Sequence, residues 1–567
     1  MGVDTASPKL AWSLDSPVRG TVSTGYQVQL QRVSNVATTR PGAPAWNASA
    51  AVLWDTGKVE HCHRFPEDGL CVPESHAVYT GPALASATAY QWRVRWWSNA
   101  TSTPNAPPSE YSAPAIFLTG LFEASDWRDA AFLTCANGTA PATPPPPPPP
   151  AGSPFWPVVG PPQCRHLRTS FTLARTPVRA TAYITAMGYA ELWINGQKAG
   201  GNAVLEPGWT QYDRRLIYAT YDVTDLVACP QSEMGRNTDD LTQLCVKGDQ
   251  TAGVMLGNGW PGHLGHTPTF KLLIKFEYSV TSPTYVTSNA VNWTASWQGP
   301  ILLDDIYGGE TYDARLEIPG FGSCPDAQSG SASCSQLGPL PGAVDAMAFE
   351  DPSTMHAVLS SQMMQPIRAL QLLPATEIMT PHHGIRVVDF GQNIAGWGRL
   401  ALKKCPVGLQ LKLSFAEVLH QTTHADIKCS GSGSAEDAAS GLLDPLHNCT
   451  WVKGMVNMQY LMCTPGHGSV TGDRCAYDLY TCKGGAEEVY EPRFTYHGFR
   501  YVQIEGLPDE NSPTWALEAR VVHSDVESSS SLSFGGANSA SLNQLQSNLE
   551  WTQRDNLHSV PTGASAI

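Results

Sequence analysis

The chain has 567 residues, too many for one hydrophobic core, and the usual size of a domain sets three or four as the expectation. Charged residues make up only 15% against 42% apolar, with 50 Gly and 45 Pro, a balance that fits a turn-rich β protein better than a charged helical one. The net charge of −15, with no long basic run, argues against nucleic acid or an anionic membrane surface as partner. No apolar run reaches the roughly 18 residues that span a bilayer, so a membrane is not an expected partner either.

Residues 1–120 read as short alternating strands: Gly25-Tyr-Gln-Val-Gln-Leu30, Ala51-Val-Leu-Trp54 and Tyr90-Gln-Trp-Arg-Val-Arg-Trp96. The period of two turns Tyr90, Trp92, Val94 and Trp96 inward and Arg93 and Arg95 toward water. The tryptophans are read as core, with a sugar platform as the alternative. Residues 136–162 are dominated by proline, including Pro144 to Pro150 without a break, and are expected to form a linker or surface insertion.

Strands resume over 163–320. Ala190-Glu-Leu-Trp-Ile194 runs into Asn195-Gly196, the pair that a type I′ hairpin turn favours because both residues tolerate positive φ. Lys271-Leu-Leu-Ile-Lys-Phe-Glu-Tyr278 follows, with Cys229 to Gln250 as an intervening loop. Residues 321–364 read as a connection and 365–525 as a third sandwich, carrying Gly384-Ile-Arg-Val-Val-Asp-Phe390, Leu409-Gln-Leu-Lys-Leu-Ser-Phe415 and Arg500-Tyr-Val-Gln-Ile504; Cys429 to Cys475 reads as another insertion. Over 526–567, Leu542, Leu545 and Leu549 at helical spacing, with Trp551, predict one amphipathic helix.

The fold class is therefore all-β, tandem β-sandwiches with a short C-terminal helix. Fourteen cysteines lack zinc-ligand spacing, and several fall where disulfides are plausible in a secreted protein. Sequons at Asn47, Asn99, Asn137, Asn292 and Asn448 lean the same way, although Met1 to Arg19 lacks the pattern of an export signal.

Pattern alone stops at sandwiches with aromatic loops; longer strings go further. Gly188-Tyr-Ala-Glu-Leu-Trp-Ile-Asn-Gly196, Pro207-Gly-Trp-Thr-Gln-Tyr-Asp213, Tyr221-Asp-Val-Thr-Asp-Leu226, Gly257-Asn-Gly-Trp260 and Ile306-Tyr-Gly-Gly-Glu-Thr-Tyr-Asp-Ala-Arg315 resemble the N-terminal, jelly-roll-like domain of bacterial-type α-L-rhamnosidases, glycoside hydrolase family 78. Asp389-Phe-Gly-Gln-Asn-Ile-Ala-Gly-Trp397, Phe415-Ala-Glu-Val-Leu419, Tyr490-Glu-Pro-Arg-Phe-Thr-Tyr-His-Gly-Phe-Arg-Tyr501 and Arg520-Val-Val-His-Ser-Asp525 resemble its concanavalin-like domain. Leu10-Ala-Trp-Ser-Leu14, Leu53-Trp-Asp-Thr-Gly-Lys58 and Gln91-Trp-Arg-Val-Arg95 are similar to the immunoglobulin-like module before them.

The resemblance implies hydrolysis of terminal α-L-rhamnose in glycosides or polysaccharides with inversion, and no required cofactor. The likeness runs through Gln553-Arg-Asp-Asn-Leu-His-Ser-Val-Pro-Thr562 into what resembles the start of the catalytic α-toroid, and then breaks. Because the family's acid and base carboxylates lie beyond that point, the expectation is a truncated chain without catalytic residues of its own, a lectin-like protein being the alternative. Glu310, Asp313 and Glu417, together with His497 and His523, are read as structural. For carbohydrate contact the candidates are Trp209, Asp213, Asn258 and Trp260, since sugars stack on aromatic rings while carboxylates and amides take their hydroxyls. The alternative reading of the same residues is that they shape a loop or pack the core. Calcium is a possible companion, as some family members bind rhamnose with it and oxygen donors suit that ion.

Overall fold

Half-buried strands alternate, and each alternating face must find a partner. The computed structural model describes residues 2–562 apart from 17–20, 34–45, 61–74, 99–106, 137–162, 228–249, 322–338, 350–355, 420–476, 509–513, 529–530, 537–538 and positions 264, 280, 307 and 383. The proline run, most of Cys229 to Gln250, all of Cys429 to Cys475, and Asn99, Asn137 and Asn448 lie outside the described residues.

In the first sandwich, Ser23–Arg32 pairs antiparallel with Ala89–Ser98 along its length, flanked by Val52–Asp55 and Ala115–Thr119. Lys9–Ala11 and His76–Val78 form the facing layer. Val28, Leu30, Tyr79 and Tyr90 fill the space between, and Trp92 and Val94 pack against them as the alternation requires. The opposite face departs from expectation, because Arg93 and Arg95 are roofed rather than solvated. The Arg93 guanidinium lies 4.0 Å from the centres of both the Trp46 and Tyr111 rings, and Arg95 lies 4.7 Å from Tyr111 and 5.6 Å from Trp97. From the edge, Gln29 and Gln27 accept their N–H groups, and both amides donate to Asp55. Planar guanidinium groups can stack and hydrogen-bond at once, which a rule based on charge alone does not anticipate.

A second, twelve-stranded sheet curls around Ile184, Leu192, Val254, Phe270 and Ile274. Its hairpin at Asn195-Gly196 has φ of 49° and 76°, both positive, as the turn chemistry predicts. Three short strands are not evident from pattern: Leu133–Cys135, Val344–Ala348 and Val358–Ser361 join this sheet from outside the stretch that reads as its domain. The disulfide Cys135–Cys164 fastens the first of them.

The third sheet is built on the 19-residue strand Ile385–Lys403, which pairs with His497–Glu505 and Thr514–Ser524. Ile301–Asp305 and Gly309–Asp313 also belong to it, through parallel pairing with Tyr477–Thr481, although their sequence position groups them with the second sandwich. One continuous core therefore runs from Tyr189, Trp193 and Met255 of the second sandwich into Phe415, Phe499 and Val502 of the third. Cys405–Cys482 ties the chain just past the end of this long strand to the chain just past Tyr477–Thr481.

Helix Ser539–Asp555 forms where the leucine spacing predicts it, but the stripe is not buried. Leu542, Leu545 and Leu549 are 42, 54 and 58% exposed, and Trp551 is the residue that packs on the core. A hairpin of Leu557–His558 and Val560–Pro561 then returns toward the second sandwich.

Candidate functional site

The Pro207-Gly-Trp and Gly257-Asn-Gly-Trp loops leave the same end of the second sandwich. Their indoles stack, with ring centres 5.1 Å apart and planes inclined by 23°. Gly208 allows the approach that sets Trp209, because a Cβ there would lie 2.7 Å from Cβ of Ser559. Ser559 Oγ accepts the Trp209 backbone N–H at 2.9 Å, and Gln362 accepts that of Gly208 at 3.1 Å. The Trp260 side chain hydrogen-bonds Tyr189, whose hydroxyl burial holds well above the usual tyrosine range, and packs on the shared core. Trp260 is thus the inner ring, and Trp209, 37% exposed, the outer one.

The other two candidates separate. Asn258 is buried: its backbone N–H donates to the Asp304 carboxylate, its side-chain amide donates to the Asp304 carbonyl, and its own Oδ1 is buried without a partner among the described residues. It shapes the loop that carries Trp260. Asp213 is exposed in the turn that precedes Arg215–Asp222, where the Gln211 carbonyl accepts the N–H groups of Arg214 and Arg215.

Beneath the tryptophans, the second and third sandwiches meet through buried charge that single-sequence reading misses. Arg165 pairs with Asp304, and Glu191 takes Lys198 at 2.6 Å and Arg493 at 3.0 Å. Burial opposes the Glu191 charge, yet Lys198 and Arg493 together bring its carboxyl below the usual range. Glu310 accepts from the Arg493 backbone and from the Tyr490 hydroxyl. Burial and the neighbouring Asp478 push Glu310 up to about 8. Asp478 in turn accepts the Glu310 N–H at 2.8 Å and lies 3.1 Å from His497 Nε2. His497 thus has a buried carboxylate partner, which a 19-residue separation hides from the sequence.

Asp313 caps the turn holding Arg315, and His523 contacts the adjacent Ser524 carbonyl. Glu417, exposed, accepts from Asn393 at 2.7 Å. Nearby Asp555 accepts the Ala395 N–H, and burial, opposed by that bond and reinforced by Glu417, raises it to about 7. The one cluster of three potential metal ligands among the described residues is Cys405, Cys482 and Glu488. Its sulfurs are bridged, and Glu488 already accepts from Tyr480, Lys483 and Gly484, so it offers calcium a single oxygen-bearing side chain where that ion takes about six to eight oxygens.

Residues 1–123 match the Rha78A-like N-terminal immunoglobulin domain, 175–371 the α-L-rhamnosidase N-terminal domain, and 380–523 the bacterial α-L-rhamnosidase concanavalin-like domain. An α-L-rhamnosidase of Formosa agariphila is 25% identical over 579 residues, covering 99% of this chain and 50% of its own length. One of Streptomyces avermitilis is 32% identical over 405 residues, 70% of this chain and 32% of its own. The chain spans about half the length, or less, of the curated relatives it matches. The α-L-rhamnosidase structure from Dictyoglumus thermophilum has 26% identity and a TM-score of 0.69, covering 99% of this chain and 51% of that one. That of S. avermitilis complexed with L-rhamnose shares the fold at 23% identity and a TM-score of 0.68, covering 99% and 59%. Three family models that follow one another along most of the chain, with a solved relative aligned over 99% of it and 51% of its own length, place the chain in the α-L-rhamnosidase family, glycoside hydrolase family 78.

Proposed function

We propose that these residues form the β-domain part of an α-L-rhamnosidase that releases terminal α-L-rhamnose from glycosides or polysaccharides with inversion, and that their own share is sugar contact and support of the catalytic part. The stacked pair of Trp209 and Trp260 carries the sugar-contact reading. Its outer ring is open to solvent and its inner ring is anchored, which gives an apolar sugar face a rigid platform. Asp213, exposed on the next turn, is the acceptor for a hydroxyl.

Hydrolysis with inversion needs an acid and a base about 6.5–9.5 Å apart with water between them. Glu310, Asp313 and Asp478 are sealed from solvent, which supports assigning the chemistry to residues outside these domains. The exposed leucines of helix Ser539–Asp555 support it too, since a helical body would cover such a stripe.

The test is calorimetric titration of the 567-residue chain with L-rhamnose, with and without calcium, beside an assay on p-nitrophenyl α-L-rhamnoside. Binding that Trp209→Ala abolishes, with no release of nitrophenol, is the expected outcome. Absence of binding at millimolar sugar in both conditions overturns the contact reading, and turnover above a heat-treated control overturns the division of labour.

A further inference from the structure

We propose that Asn292 is an N-glycosylation site and that the first sugars of its glycan lie in the groove beside it. Asn292-Trp-Thr294 is one of two sequons among the described residues, and the two differ in availability. Asn47 is half-buried, and its side-chain oxygen is engaged by the Ser49 N–H at 3.0 Å. Asn292 is exposed on the turn before Thr294–Ser296, next to Val291, which is 89% exposed. Its backbone is fixed by donation to the Asn289 carbonyl and by acceptance from Thr169 Oγ1, while its side-chain amide makes no hydrogen bond among the described residues.

The compartment has its own support. Cys135–Cys164 and Cys405–Cys482 are both buried disulfides that hold sheet strands, and such bonds form and persist where the surroundings are oxidising. That is also where sequons are modified.

A groove of about 670 Å³ opens at Asn292, lined also by Thr169, Ser170, Phe171, Tyr285 and Thr287. A second hollow of about 350 Å³ continues from it past the shared Phe171 and Tyr285. Half-exposed Phe171 offers a ring for the apolar face of a sugar, and the hydroxyl-bearing wall offers hydrogen bonds. The Asp129 carboxylate, held by Thr287 at 2.9 Å and Asn289 at 2.8 Å, adds a fixed acceptor. The cation of the lining, Arg128, is stacked 3.4 Å from the centre of the Tyr285 ring and lies beside Asp129. A neutral, hydroxyl-rich ligand therefore fits what remains open, and the glycan is the one such ligand tethered at its mouth.

In the modifying step the Asn292 amide nitrogen attacks the anomeric carbon of a lipid-diphosphate-linked oligosaccharide. The N–C bond forms as the anomeric C–O bond breaks; the amide loses one proton to a base of the transferase, and the lipid diphosphate leaves.

The experiment is to secrete the chain from a eukaryotic host and map the peptide containing residue 292 by mass spectrometry, before and after amidase release of the glycan in heavy-oxygen water. Most copies are expected to carry a glycan at Asn292, which Asn292→Gln removes and Thr294→Ser, keeping the sequon, retains. If Asn292→Gln is not secreted, Thr294→Val serves as the second sequon-free variant. An unmodified peptide from secreted, disulfide-bonded wild-type protein overturns the site. For the groove, Phe171→Ala is expected to speed enzymatic glycan release from the folded protein several-fold. Unchanged release, with the same melting temperature, overturns the groove contact and leaves an ordinary surface glycan.

Discussion

The tryptophan pair and the acidic junction beneath it sit at the same meeting of two sandwiches, yet they are built on opposite terms. At the pair, aromatic area is left open and the backbone N–H groups of Gly208 and Trp209 are already taken by the side chains of Gln362 and Ser559. At the junction, carboxylates that would look catalytic in isolation are closed off and answered by Arg165, Lys198, Arg493 and a tyrosine hydroxyl. The contrast teaches that accessibility, not residue type, separates a binding feature from a structural one here. A buried ionic network is expensive to break because the partner left behind stays uncompensated.

The largest expected effect comes from breaking the sealed side. Glu310→Ala leaves the Arg493 N–H and Tyr490 hydroxyl without their acceptor and should cost about 2–6 kcal/mol in urea unfolding, roughly 1–3 kcal/mol for each buried donor left unsatisfied. Glu310→Gln keeps an acceptor and should cost far less. A cost for alanine no larger than for glutamine would show the junction to be loosely packed. The same region sets a pH profile. Glu310 and Asp555 are raised to about 8 and about 7, so each holds a proton in the folded state that it loses when unfolded; their stabilisation is lost as pH rises through those values. His166 and His558 are lowered by burial to about 3 and about 4, so their contribution is present above the ordinary histidine range and is lost as pH falls. For these four groups the opposing slopes cancel between roughly pH 4.5 and 6.5, giving a plateau that declines on either side. Melting temperature against pH should show it, and Glu310→Gln should both shallow the alkaline limb and tilt the plateau so that stability rises with pH up to about 6.5.

A medium effect belongs to the open side. Trp260→Ala should lower both stability and rhamnose binding, whereas Trp209→Ala should abolish binding at a stability cost of about 1 kcal/mol, the scale of a single aromatic contact. Equal stability losses would show that the outer ring is core, as the alternative reading of these residues has it. The smallest effect is expected at Leu545→Glu on the exposed helix stripe, within about 0.5 kcal/mol in this chain. A larger loss would mean that the stripe has a partner within the chain itself.

Much of this is written locally. The strand Tyr189–Ile194 and its Asn195-Gly196 turn follow from period and backbone freedom, and helix Ser539–Asp555 from its leucine spacing. Trp209 and Trp260 are nameable because each ends a short Gly-rich string. Asn258 is nameable for the same reason, yet only tertiary structure shows that Asp304 consumes its donors. The junction was illegible because its contacts are distant: Arg493 meets Glu191 across 302 residues and Glu310 across 183. Strands of three to five residues, such as Leu133–Cys135, are too short for any period to register.

The stacked guanidinium groups of the first sandwich give that domain an unusual relation to its solvent. Because Arg93 and Arg95 are gripped face-on by rings and edge-on by neutral amides, added salt has little to screen, and lysine would keep their charge while losing the fit. This face of the domain therefore depends on molecular shape where its sequence advertises charge, and it should keep its geometry in brine as well as in dilute buffer.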